Sequence, residues 1–491
     1  PPSLPPSLLP RGAPMGAHDE GAADSDSDEV ERDNDAELEL QSGQSAAAAS
    51  RQALRDRLRE RGGRPASAVE EEAKWLADRP MLAEGGFQTE NEATLNLLNS
   101  LLGNSLLALP WAFSKVGFLL GVVLLGAGTA LNRYSLHLLL DHVDMEGGGT
   151  YPLIGRCAFG WSGEVVVLVV YLMTSSGALC AYAVGLADLV GELVPGTPRP
   201  LSGLLAVALC APGMFQPGLK KVVIFSKISL GCAICFVLVL LTLALSPTPV
   251  GAQPLEQEIW RPDQMFVAWP IFGYMFAVQP SGMIILSRLE ARGRQPDHMD
   301  EDSAADLREA RARVTLNGYV VSIVIGYVIG VSSYKRFGEH TQGNIIRSIH
   351  DSPEGLLPGC VVLLQLSSAV MLLCSAAFVM VSFRFAVVEV MRLVGVPLPP
   401  AGEDIPTQLR HRITCGVLCG MCVVSMACDD ISIVYRAIGS VATQFFALIL
   451  PGAFSIRLGQ GMAVRKMWGP LLITILGVIA LVLCFLNLVA A

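Results

Sequence analysis

Residues 91–113 read NEATLNLLNSLLGNSLLALPWAF, an apolar run of helical length with Gly103, Asn104 and Ser105 consecutive at its middle and Pro110 further along. Glycine loosens a helix, and the Asn and Ser side chains offer hydrogen bonds to freed backbone groups, so a local unwinding is tolerable there if it lines a cavity. An unwound turn creates a new helix N-terminus at mid-membrane. Its free NH groups suit a carboxylate, and the carbonyls ending the first half suit a cation or an ammonium group. The other reading of the same residues is a small-residue seam for close helix packing. Asn96, Asn99 and Gly103 are spaced i, i+3, i+7, so both amides lie on the stripe that runs into the break. Asn99 suits a neutral oxygen ligand for sodium, or an amide that holds helices together.

A second interruption falls in residues 269–287, WPIFGYMFAVQPSGMIILS, where Pro280 removes a backbone donor and Gly282 follows, with Gln279 and Ser281 beside them. Spans are expected to start near residues 93, 117, 163, 201, 221, 263, 314, 358, 411, 432 and 469, about eleven in all, which puts the two interruptions five spans apart. Five is odd, so a second copy of the first five spans enters from the opposite side, the inverted repeat of many secondary transporters.

Composition agrees with a polytopic all-α membrane protein. The 491 residues are 52% hydrophobic and only 16% charged, and the apolar runs approach the ~20 residues that cross a bilayer as a helix. The net charge of −9 reflects a tail rather than the spans, because nine acidic residues and a single arginine crowd into Asp24 to Glu39. Residues 1–90 carry too little apolar sequence to fold alone and read as a disordered, acidic, cytosolic tail, open to a cytosolic regulator, ahead of a transport domain over residues 91–491. Lys220, Lys221, Arg288, Arg308, Arg311, Arg313, Arg410, Arg412 and Arg457 fall on one side of this topology. The positive-inside rule places that side, with the N-terminus, in the cytosol. No phosphate loop, nucleophile elbow or metal cluster is visible, so an enzyme or a nucleic-acid binder is not expected.

In the eighth span Ser368 and Ser375 share one helix face, and either can back-bond to its own helix or serve a site. Lys227, about two turns into the fifth span, either snorkels to the cytosol or places an ammonium in a cation pocket.

The motifs together resemble the amino acid/auxin permease family. The resemblance is carried by 99–113 NSLLGNSLLALPWAF, 150–160 TYPLIGRCAFG, 334–338 YKRFG with Asn344-Ile345, Phe383-Arg384, Ile438-Gly439 and Leu450-Pro451. It implies a LeuT-like 5+5 inverted repeat plus one extra helix, and a secondary active transporter that moves an amino acid on a sodium or proton gradient. The chain departs from many relatives in having Ser105 where they have a second glycine. By this resemblance the substrate-binding candidates are Leu102, Gly103, Asn104 and Ser105 at the first break and Phe276, Ala277, Gln279 and Ser281 at the second. The ion-coupling candidates are Asn99 and Ser375, with Lys227 as the alternative. No cofactor is expected, the coupling ion is sodium or a proton, and the host membrane is vacuolar, lysosomal or plasma membrane. Competing readings are an amino-acid receptor signalling through its tail and a transporter of an auxin-like carboxylate.

Overall fold

The computed structural model describes residues 88–103, 106–143, 150–216, 219–245, 259–287 and 289, 301–351, 358–398, 406–459 and 464–490. The tail read as disordered lies outside the described residues up to position 87, as do Asn104 and Ser105. Almost everything else is helical, in the order α1 (Glu90–Gly103), α2 (Leu109–Val116), α3 (Phe118–Val143), α4 (Tyr151–Phe159), α5 (Trp161–Leu193), α6 (Arg199–Met214), α7 (Leu219–Leu245), α8 (Met265–Met275), α9 (Gln279–Ser287), α10 (Glu301–Phe337), α11 (Ile345–Asp351), α12 (Pro358–Leu393), α13 (Thr407–Ala427), α14 (Ile431–Ile438), a π-helical turn series over Gly439–Ile449, α15 (Leu450–Leu458) and α16 (Val464–Ala490).

Among the described residues, eight segments are both long and apolar enough to cross a bilayer. The pair α1–α2, divided by the break, the 16-residue α6 and the 21-residue α13 take the remaining places in the expected order of spans. Local chemistry sets the boundaries. Pro110 and Pro152 sit in the first turns of α2 and α4, where a missing NH costs nothing. Gly117 (φ 82°) and Gly160 (φ 70°) make the left-handed corners into α3 and α5 that a side chain would resist. Asp430 caps α14 by accepting from Ser432 N at 2.8 Å.

The element order repeats. A broken helix (α1–α2, then α8–α9) is followed by a long helix (α3, then α10), a short one (α4, then α11) and three more spans. Packing divides the helices in the same way in both halves. The pair α1–α2 packs with α8–α9, α3 and α10, while α5 and α6 pack with α12 and α13; α7 bridges α1, α10 and α12. Each four-membered group therefore takes equivalent helices from the two repeats, as an inverted-repeat transporter requires. Below, the near face is the membrane side at which α1 begins, and the far face is the side at which α2 ends.

Candidate substrate and ion site

Both spans are interrupted, the second just ahead of the Gln279-Pro280-Ser281-Gly282 stretch expected to break it, because Pro280 sits in the first turn of the restarted helix, where its missing NH is tolerated. Helix α1 ends at Gly103 and α2 starts at Leu109. Helix α8 ends at Met275, Ala277 and Val278 are non-helical, and α9 restarts at Gln279. Tyr319 of α10 donates to the freed Phe276 carbonyl at 3.1 Å, which anchors the second break.

A cavity of about 60 Å³ opens on the near-face side of the breaks. Asn99 and Ser100 of α1, Ala277, Pro280 and Ser281 of the second break, and Ser375 of α12 contribute to its wall. Helix α5 supplies Thr174, Ser175, Ala178 and Tyr182, and among the described residues no charged side chain lines it. Tyr182 and Tyr274 on its wall are fully buried, and the buried Tyr435 ring lies 5.6 Å from that of Tyr274.

The two ion-coupling candidates share this cavity and share an unusual state. Asn99 Nδ2 donates to Ser226 Oγ of α7 at 3.2 Å, but Asn99 Oδ1 is buried without a hydrogen-bond partner, and so is Ser375 Oγ. Ser368, two turns earlier on the same helix, instead back-bonds to Leu364 O at 2.7 Å. An orphaned buried acceptor costs about 1–3 kcal/mol. Two such oxygens in one cavity suit a hard cation that exchanges its hydration shell for protein oxygens. Gly103 makes room for them: a Cβ there would lie 2.7 Å from Ser375 Oγ and 3.5 Å from the Tyr182 hydroxyl.

Other candidates are placed elsewhere. Gln279 is fully buried with its amide turned away from the cavity, and Nε2 lies 3.2 Å from Asn132 Oδ1 and 3.3 Å from Ser135 Oγ of α3. The polarity that singled it out thus ties α9 to α3. The Phe276 ring stacks on Tyr319, 6.1 Å between centroids, and Leu102 is packed in the apolar core, so neither lines the cavity. Lys227 is exposed on α7 while Ser226 and Ser229 point inward, which corrects the reading of an ammonium in a cation pocket. The α5 wall and Ser226 were missed. The signal for Ser226 is its i, i+3 spacing to Ser229, opposite a lysine that cannot share their face.

Above the cavity the path toward the far face is plugged at Gly185, where a Cβ would lie 3.0 Å from Ile431 Cδ1, 3.2 Å from Leu372 Cδ1 and 3.9 Å from Leu107 Cδ1. One turn beyond, the fully buried Asp188 carboxylate accepts from Arg199 (2.6 Å), Arg347 (2.7 Å) and Asn344 (3.0 Å), tying α5 to α6 and α11. Ile345 N of α11 in turn donates to Leu107 O, so the seal also reaches the α1–α2 connection.

A family model described as transmembrane amino acid transporter protein matches residues 88–491. The chain belongs to this family, the amino acid/auxin permeases. It is 33% identical over 109 residues to sodium-coupled neutral amino acid transporter 4 of Homo sapiens, a match covering 22% of this chain and 20% of the relative. With the same transporter of Pongo abelii it is 28% identical over 182 residues, 34% of this chain and 33% of the relative. A longer match, 20% identical over 414 residues, joins it to putative sodium-coupled neutral amino acid transporter 11 of Danio rerio and covers 80% of this chain and 84% of that one. The matches to the first two relatives thus span a third of their length or less. In fold it is similar to Mhp1, a nucleobase-cation-symport-1 family transporter, in a closed conformation with bromovinylhydantoin bound: TM-score 0.53 and 14% identity, over 83% of this chain and 93% of that one. The inward facing conformation of Mhp1 matches at TM-score 0.53 and 13% identity, over 84% of this chain and 93% of that one. At such identities the likeness is one of fold, and it is that of an inverted-repeat transporter.

Proposed function

We propose that this family member is a secondary active transporter that binds a small neutral amino acid at the paired helix breaks and couples its movement to sodium. The observation that carries the reading is the pair of partnerless oxygens, Asn99 Oδ1 and Ser375 Oγ, in one buried cavity beside Gly103. Sodium, as co-substrate, replaces there the hydrogen bonds those oxygens lack. The amino-acid carboxylate faces the amide groups that open α2 and its ammonium faces carbonyls that close α1, an arrangement suited to a zwitterion at mid-membrane. Hydroxyl and aromatic groups on the wall, with no charged side chain among them, favour a neutral side chain. The relatives' printed names, sodium-coupled neutral amino acid transporters, support the same choice. The near face carries Arg308, Arg311, Arg313, Arg410, Arg412 and Arg457, which favours a cytosolic near face.

Flux into proteoliposomes tests the reading, with a panel of labelled amino acids under an imposed sodium or proton gradient. Sodium-driven accumulation of neutral amino acids is expected. Binding without gradient-driven flux points instead to a receptor, and flux driven by protons alone removes the sodium assignment.

A further inference from the structure

The α5 stripe that lines the central cavity at Tyr171, Ser175, Ala178 and Tyr182 continues past the Gly185 plug to Glu192. Ten residues separate Tyr182 from Glu192, roughly 15 Å along the helix. There a second cavity, of about 400 Å³, opens at the far face between the ends of α5, α6, α11 and α13, on the same path as the first.

Its wall carries both signs of charge, unevenly used. Asp188 takes up a donor from each of two arginines. Arg199 engages all three of its nitrogens, since it also donates to Ser425 O at 3.0 Å and to Cys428 O at 2.6 Å, and it pairs with Asp429 at 3.3 Å. Arg347 engages only Nη2 in this pairing, and its side chain is 31% exposed. On the acidic side, Glu192 Oε2 accepts from the neutral Gln365 at 3.3 Å while Oε1 is buried without a partner. Asp351, whose Oδ2 accepts from Gln342, and Asp429, already paired with Arg199, line the same cavity, and Asp351 and Arg347 both lie close enough to act electrostatically on Glu192. Carboxylates thus exceed guanidinium groups, yet one guanidinium keeps donors to spare. Among the described residues no three metal-ligating side chains converge, and the volume far exceeds that of a bare ion.

We propose that this cavity is a second, peripheral site for an amino-acid zwitterion, holding its ammonium between Glu192 and Asp351 and its carboxylate on Arg347. A ligand captured there waits on the far side of the plug, about three helical turns from the central cavity. The proposal rests on the charges of this cavity and stands apart from the ion coupling assigned to the central one.

The test uses the full chain in lipid nanodiscs with a cysteine at the cavity rim, Thr197→Cys, and follows its reaction with a membrane-impermeant thiol reagent above the background of the unsubstituted chain. L-Alanine and L-glutamine at millimolar concentration are expected to slow labelling severalfold. Propionate and isopropylamine, each carrying one of the two charges, are expected to protect less. Protection should persist when Ala178→Phe fills the central cavity and disappear with Glu192→Gln, which leaves the Asp188 pairs intact. Three results overturn the proposal: no protection by either amino acid, protection lost with Ala178→Phe, or equal protection by isopropylamine alone. Protection that survives in a chain showing no flux would remove the transport reading and leave this site standing.

Discussion

At Asn99 and Ser375 the cost of a buried, unpaired oxygen is accepted twice in one cavity, and on the proposed reading a sodium ion offsets it. Removing either oxygen should therefore improve the apo protein's hydrogen bonding while weakening the ion. Asn99→Ala and Ser375→Ala are each expected to raise the sodium concentration for half-maximal flux by about 5- to 30-fold, the equivalent of ~1–2 kcal/mol. Flux measured against sodium concentration checks this, and unchanged curves in both variants would remove the assignment. Gly103→Ala should act on the same ion indirectly. Its Cβ would meet Ser375 Oγ at 2.7 Å, and a hydroxyl can rotate away, so the fold should survive while sodium affinity falls. Lys227 is exposed on α7, so Lys227→Ala should leave the pH profile of flux unchanged; a displaced profile would reinstate it as the coupling group.

Which of these features could be read in advance depends on the kind of physics involved. The break at Gly103 was legible, and the one at Ala277-Val278 to within a few residues of the expected Gln279–Gly282, because Gly, Pro and consecutive polar residues inside an apolar run act locally, on the helix that contains them. The repeat was legible because it needs only the order of spans. The destination of Gln279 was not, because it is decided by Asn132 and Ser135 on α3. Nor was the α5 wall: Thr174, which back-bonds to Val170 O at 2.8 Å, and Ser175, which lines the cavity with it, look alike in an apolar helix. The π-helical series over Gly439–Ile449 likewise follows from tertiary packing, for Gly439 sits against the backbone of Pro270 in α8. A Cβ there would lie 2.2 Å from the Pro270 carbonyl oxygen, whereas one at Gly177 would meet only the Ile438 side chain, at 2.4 Å. Backbone cannot step aside as a side chain can. Gly439→Ala is therefore expected to destabilise by about 1–3 kcal/mol or more, and Gly177→Ala by less. Thermal unfolding of the two purified variants measures the difference, and equal melting temperatures would contradict this account of why α14 packs against α8.

For the molecule as a whole, the proposed transport makes alternating access a matter of which end of the α5 stripe is open. Here the central cavity lies on the near-face side, while Leu107, Leu372 and Ile431 close over Gly185 and the Asp188 pairs hold α11 and α6 above them. The plug is apolar contact alone, so the charged layer beyond it supplies the specific hold on the closed state. Removing one partner of a fully buried ion pair costs about 3–5 kcal/mol; the loss is smaller here, because Arg347 is 31% exposed and Arg199 keeps its pairing with Asp429. Asp188→Ala should therefore penalise the arrangement in which Arg199 and Arg347 converge and shift the population toward one open at the far face. A reporter cysteine at Ser175, inside the central cavity, should then react faster with an impermeant thiol reagent added from the far side of sealed vesicles. Maximal flux should fall, since a transporter held open on one side must climb further to return. If Ser175→Cys reacts at the same rate with and without Asp188→Ala, in chains of equal thermal stability, the outer seal is held by the apolar plug and not by the Asp188 pairs.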